Sequence, residues 1–156
     1  MIELWEHFEI YEKKIRLIED HVKNSSDPLE AYVSLRVAAL DLDPAEITNE
    51  LQTEPSNCFR RGDKYKDSVH EFGNWSLSTQ NHYIGNSSEL GGYIVYLVER
   101  VKLQQKHTRR WKSVNYNSVF LLFWSAKDNM SVGVFRRSNI DLLSYLELDV
   151  VLDCYI

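Results

Sequence analysis

"EAYVSLRVAALDLDPAEITNEL", residues 30–51, contains a strand and a helix start, and the rest of the fold can be built outward from it. Its first part alternates: Val33, Leu35, Val37 and Ala39 fall on one face, Ser34 and Arg36 on the other. A period of two is the pattern of a half-buried strand, here over residues 30–40. A helix start follows directly. Asp43 has the short oxygen-bearing side chain of an N-cap, Pro44 suits the first helical position, and Glu46 stands where a capping box needs a carboxylate. Leu42 and Ile47 take the two places of a hydrophobic staple. Pro55 disfavours helical geometry at Glu54, so the helix is expected to end near Thr53.

Downstream, "NCFRRGD" (57–63) reads as a turn leading to a strand, "GNWSLST" (73–79), with Trp75 and Leu77 on one face. "NSSE" (86–89) caps a second long helix whose apolar face is Leu90, Tyr93, Ile94, Leu97, Val98 and Val101. Its end is rich in Lys and Arg, which suits the helix dipole. "VFLLFWSA" (119–126) is a continuous apolar run and predicts a central strand buried on both faces. "KDN" is expected to turn it back into "MSVGVFR" (130–136) as a hairpin. Ser138 and Asp141 start a short helix carrying Ile140, Leu142, Leu143 and Leu146, and "LDVVLDCYI" alternates as a last strand.

Upstream, Leu4, Phe8, Tyr11, Ile15, Ile18 and Val22 recur at spacings of four and three, which predicts an amphipathic helix over 2–23. Docking on its own domain is the expectation, with a helix–helix dimer seam as the alternative. "NSSDP" (24–28) is a break. The order after it is β-α-β-α-β-β-α-β. This predicts one α+β domain over 1–156, with a mixed, largely antiparallel sheet and helices on one face, preceded by the N-terminal helix.

The composition is that of a soluble globular domain: 44% hydrophobic and 26% charged in 156 residues. No apolar run approaches the ~20 residues a membrane helix needs. The N-terminus lacks the basic start of a signal peptide and carries Glu3, Glu6 and Glu9, so a cytoplasmic location is expected. There Cys58 and Cys154 would remain thiols. A net charge of −5 argues against generic nucleic-acid binding, including by the basic segment 100–112. The charge is unevenly placed. Seven acids face Arg36 alone from Asp27 to Ser56, and six bases face Glu99 alone from Glu99 to Lys112.

With "ALDLDPAEITNELQTEPSNCFRRGD", the tryptophan of "GNWSL" and the closing "LDVVLDCYI" in view, residues 31–156 resemble a bacterial domain-of-unknown-function family, the one numbered 4279. In that family a strand runs into D-P-x-E-I, then a leucine, a proline and a glycine–acid pair, with tryptophan on the next strand. The resemblance implies a small α+β domain. Members of such families are sometimes encoded beside secreted toxins as immunity proteins, which suggests the same role here. It carries over no catalytic residues, and the helical front lies outside the shared core.

Two surfaces are candidates. Asp41, Asp43, Glu46, Glu50 and Glu54 form an acidic face suited to a basic partner, such as the active site of a nuclease toxin. Arg60 and Arg61, beside the permissive Gly62, could instead hold an anion or small molecule near Trp75. The plainer reading pairs those arginines with acids such as Asp63 and Asp67, and places Trp75 in the core. His70 and Glu71 beside Cys58 could imitate a Cys–His nucleophile pair, and Gly91-Gly92 is a weak phosphate-loop signal. No catalytic set, metal-ligand spacing or cofactor motif is present, so a non-enzymatic protein without cofactor is expected. The leading reading is an immunity protein that binds and neutralises a cognate toxin.

Overall fold

The computed structural model describes residues 30–80, 89–125 and 134–155. The helix read at 2–23, the cap residues 86–88 and the turn at 127–129 lie outside the described residues. The sheet strands are β1 (Glu30–Ala39), β2 (Asn57–Phe59), β5 (Gly73–Ser78), β6 (Asn117–Ser125) and β7 (Asp149–Tyr155), in the order β2-β5-β1-β6-β7. A separate small hairpin pairs β3 (Lys64–Tyr65) with β4 (Ser68–Val69). The helices are α1 (Pro44–Leu51), α2 (Leu90–Val101), α3 (Gln105–Ser113) and α4 (Arg137–Leu146). All sheet neighbours are antiparallel except β6 and β7, which run parallel. The fold is therefore α+β with a mixed, mostly antiparallel sheet.

The alternation in β1 decides where the core lies. Val33, Leu35 and Val37 are fully buried. The register sets Leu35 between Leu77 and Phe120, and Val37 beside Trp75. Ile47 and Leu51 of α1, Ile94 and Leu97 of α2, Trp111 of α3 and Leu146 of α4 close over this face. The other face carries Tyr32, Ser34, Arg36 and Ala38 of β1 with Val119, Leu121 and Phe123 of β6. Among the described residues no helix is long and apolar enough to cross a membrane.

Four expectations change. The run is an interior strand as far as Ser125, but of its described side chains only Phe120 and Leu122 are fully buried, while Val119, Leu121 and Phe123 are half-buried. Of the expected hairpin return, residues 130–133 lie outside the described residues, and both edges of the strand are taken by other strands. β1 takes one edge of β6 and β7 the other, and Val134–Arg136 is not strand. The segment 57–63 is not only a turn: Asn57–Phe59 adds a strand to β5 before the chain turns at Gly62, whose φ is +87°. The helix after residue 89 is two helices. Lys102 adopts a left-handed conformation, φ 50°, and the buried Leu103 follows it into the core before α3 begins.

The short helix also starts differently from its reading. The backbone N–H of Arg136 donates to Asn139 Oδ1 at 2.8 Å, so Asn139 rather than Ser138 or Asp141 makes the cap contact. Ile140 points outward and is 57% exposed.

Candidate functional site

Of the acidic residues read from the sequence, Asp41, Asp43, Glu46 and Glu50 each lie against an arginine. Asp43 caps α1, its Oδ1 accepting the Ala45 N–H at 3.0 Å. The same oxygen accepts from Arg60 Nε at 3.1 Å and a terminal guanidinium nitrogen at 2.7 Å. The Ala45 hydrogen bond, opposed by desolvation and assisted by Arg60, holds the Asp43 carboxyl below its ordinary 3.8. Arg61 reaches Asp41 Oδ1 at 3.2 Å. Among the described residues Asp63 forms no ion pair with an arginine side chain. It locks the turn instead, accepting the Arg60 backbone N–H at 2.6 Å.

A second set of these contacts comes from α3. Arg110 lies 3.3 Å from Glu50 Oε2 and 3.7 Å from Glu46 Oε2. Trp111, fully buried, donates its indole N–H to Glu50 Oε2 at 2.8 Å. Tyr116 donates its hydroxyl to Glu46 Oε2 at 3.1 Å. Burial, and then the Glu46 carboxylate, push the Tyr116 hydroxyl above its usual value. Glu46 therefore turns toward α3 and does not close a capping box. Glu50 is not fully solvent-facing, with only 16% of its side chain exposed. Glu54 is exposed and forms no ion pair among the described residues.

The acid-rich and base-rich stretches of the sequence thus pair with each other in part. Ion pairs this exposed add little stability singly. Here they set the rotamers of the carboxylates. Among the described residues, the contacts of each of Asp41, Asp43, Glu46 and Glu50 fall on one carboxylate oxygen. The second oxygen keeps its acceptor capacity.

The other sequence candidates resolve as packing. Trp75 is fully buried, and its indole donates to Thr48 Oγ1 at 3.1 Å, so it cannot face a ligand. His70 stacks on Phe59 at 3.5 Å between centroids and makes no pair with Cys58. Gly91 is where α2 meets α4: a Cβ there would collide with the Asn139 side chain. Among the described residues no three His, Cys, Asp or Glu side chains form a group that could hold a metal.

Sequence reading missed Arg110, Trp111 and Tyr116 as parts of this surface. The opposed charge counts of 41–54 and 100–112 were the available signal. It also passed over Arg36, whose Nε donates to the buried Asn74 Oδ1 at 2.7 Å.

The described residues thus combine a mixed, mostly antiparallel sheet and four helices, an α+β arrangement, with a charged, mutually braced surface. Residues 29–156 match the family described as domain of unknown function DUF4279, and the chain belongs to that family. No curated protein and no solved structure matches the chain.

Proposed function

We propose that this is a cytoplasmic binding protein that acts stoichiometrically, as an immunity protein that captures a cognate toxin with a basic surface. The observation that carries the reading is the one-sided use of the carboxylates. Asp41, Asp43, Glu46 and Glu50 are braced through a single oxygen each, by Arg61, Arg60 and Arg110 and their neighbours. A basic partner can add hydrogen bonds to the second oxygens without displacing those arginines. The side chains are already ordered, which lowers the entropy lost on binding. With Glu54, five carboxylates stand against three arginines, so the surface keeps a negative excess that would steer a cationic partner.

The alternative site for a small anion, Arg60 and Arg61 near Trp75, draws less support, because both arginines are engaged by aspartates and the tryptophan is buried.

The test uses the product of the reading frame next to this gene. Wild-type protein should restore growth to cells making that product and bind it in calorimetry, with association slowing as salt rises. The variant Asp41→Lys/Glu46→Lys/Glu54→Lys spares Glu50 and should keep its fold. It should bind at least tenfold more weakly. Full protection by this variant would remove the acidic surface from the mechanism. If the neighbouring product neither harms cells nor binds, the immunity reading fails.

A further inference from the structure

We propose that a groove at the Ala39 end of β1, on the sheet face away from α1–α4, binds a small organic monoanion: a carboxylate attached to a flat apolar body, held by Arg36. This goes beyond the partner-binding reading and does not depend on it, since it uses none of the acidic residues named there.

Arg36 occupies an expensive position. β1 is the central strand, and Arg36 lies in register between Ser76 of β5 and Val119 of β6. Its side chain is half-buried. A guanidinium withdrawn from water is normally matched by a carboxylate. Arg60, Arg61, Arg109, Arg110, Arg136 and Arg137 each have one within 4.0 Å. Arg36 has none among the described residues.

It is nevertheless held in place. Asn74, 3% exposed, takes the Nε proton, and the Phe72 ring centroid lies 5.5 Å from Arg36 Cζ. These two contacts set the plane of the guanidinium. They leave both terminal nitrogens, the end-on fork that matches a carboxylate, without a protein partner among the described residues.

Arg36 lines a groove of about 420 Å³, together with Ala38, Ala39, Leu40, Phe72 and Val119. That volume lies within the range of small-molecule sites, about 300–1,000 Å³. The two alanines keep the floor open. Leu40 and Phe72 at the rim leave 57% and 36% of their surfaces in water, apolar area that a flat ligand would cover. Asn117 adds an amide to the lining. Glu71, exposed at the same groove, penalises a second negative charge. One cation, one nearby anion and an apolar wall favour a monoanionic carboxylate over phosphate.

The experiment titrates benzoate, acetate and inorganic phosphate separately into the full chain, followed by nitrogen–proton NMR. Benzoate should shift the Arg36 Nε–H signal and the amides of Ala38–Leu40 saturably. Acetate and phosphate should bind at least tenfold more weakly. Arg36→Met should abolish the benzoate shifts while its spectrum stays dispersed. Should that variant fail to fold, Arg36→Lys serves the same purpose and should weaken benzoate at least fivefold. The proposal is overturned if benzoate gives no saturable shift, if the shifts persist undiminished in the folded Arg36 variant, or if phosphate binds as tightly as benzoate.

Discussion

Trp111 and Glu50 are joined by a 2.8 Å hydrogen bond from a fully buried indole to a carboxylate at the edge of the core. The pair ties α3 to α1 and splits the acidic face into two kinds of residue. Glu50 holds up the core, whereas Glu46 lies on the surface above it.

Glu50→Ala strands the buried indole N–H and should cost about 1–3 kcal/mol, whereas Glu46→Ala, losing exposed contacts, should cost less than about 1 kcal/mol. Chemical denaturation of the two variants measures the difference. Equal midpoints would show that the indole bond contributes nothing.

Gly91→Ala should destabilise the protein by about 1–3 kcal/mol through overpacking. The new methyl meets Asn139, whose Oδ1 also caps α4. Gly62→Ala strains a left-handed turn but meets nothing within 4 Å, so its cost should come from backbone strain alone. Thermal melts of both variants, with crystal structures to locate any shift of α4, check this.

His107 should make stability fall on mild acidification. Burial lowers its pKa from the ordinary 6.5, and its Nδ1 must be unprotonated to accept the Gln104 N–H at 3.0 Å. The unfolded chain takes up a proton near 6.5 while the folded chain resists it. The contribution is therefore complete above 6.5 and is lost as pH falls from there toward the folded value. His107→Gln should flatten this part of the stability–pH curve, which denaturant melts between neutral and mildly acidic pH will reveal.

Asp43 acts in a more acidic window. Its folded pKa lies below 3.8, so its advantage over Asp43→Ala is present above 3.8 and fades as pH falls through the folded value. Unfolding midpoints of the two proteins should converge in strong acid. A constant gap at every pH would mean that the charge of Asp43 plays no part.

Leu122→Asp places a charge at a position 1% exposed, between β1 and β7. The cost should exceed about 3 kcal/mol and prevent folding. A soluble variant with a cooperative melt would show that this strand lies outside the core.

The readable parts of this chain are the local ones. The strand, N-cap and helix of 30–51 rest on alternation, an aspartate and a proline, and all of these act within a few residues. The break between α2 and α3 left no such mark, because Lys102 takes up a left-handed conformation without a glycine to announce it. β2 is three residues long and owes its existence to β5, so its own sequence cannot specify it. The acidic residues were visible, but the arginine and tryptophan that brace Glu50 lie about sixty positions away. Pairing across that distance is decided by the packing of α1 against α3.

The central placement of β1 also bears on how the protein reaches its native state. Ser34 pairs with Ser78 on one side and Leu121 on the other, so neither neighbour is local in the chain. Such pairing is slow to form, and an apolar strand awaiting it is exposed to other copies of itself. The outward Arg36 puts a charge in the middle of that strand. During folding it would act as a gatekeeper against edge-to-edge aggregation, before its groove exists. Its replacement by valine should lower the soluble yield on refolding at high protein concentration, even if the folded domain is as stable as before.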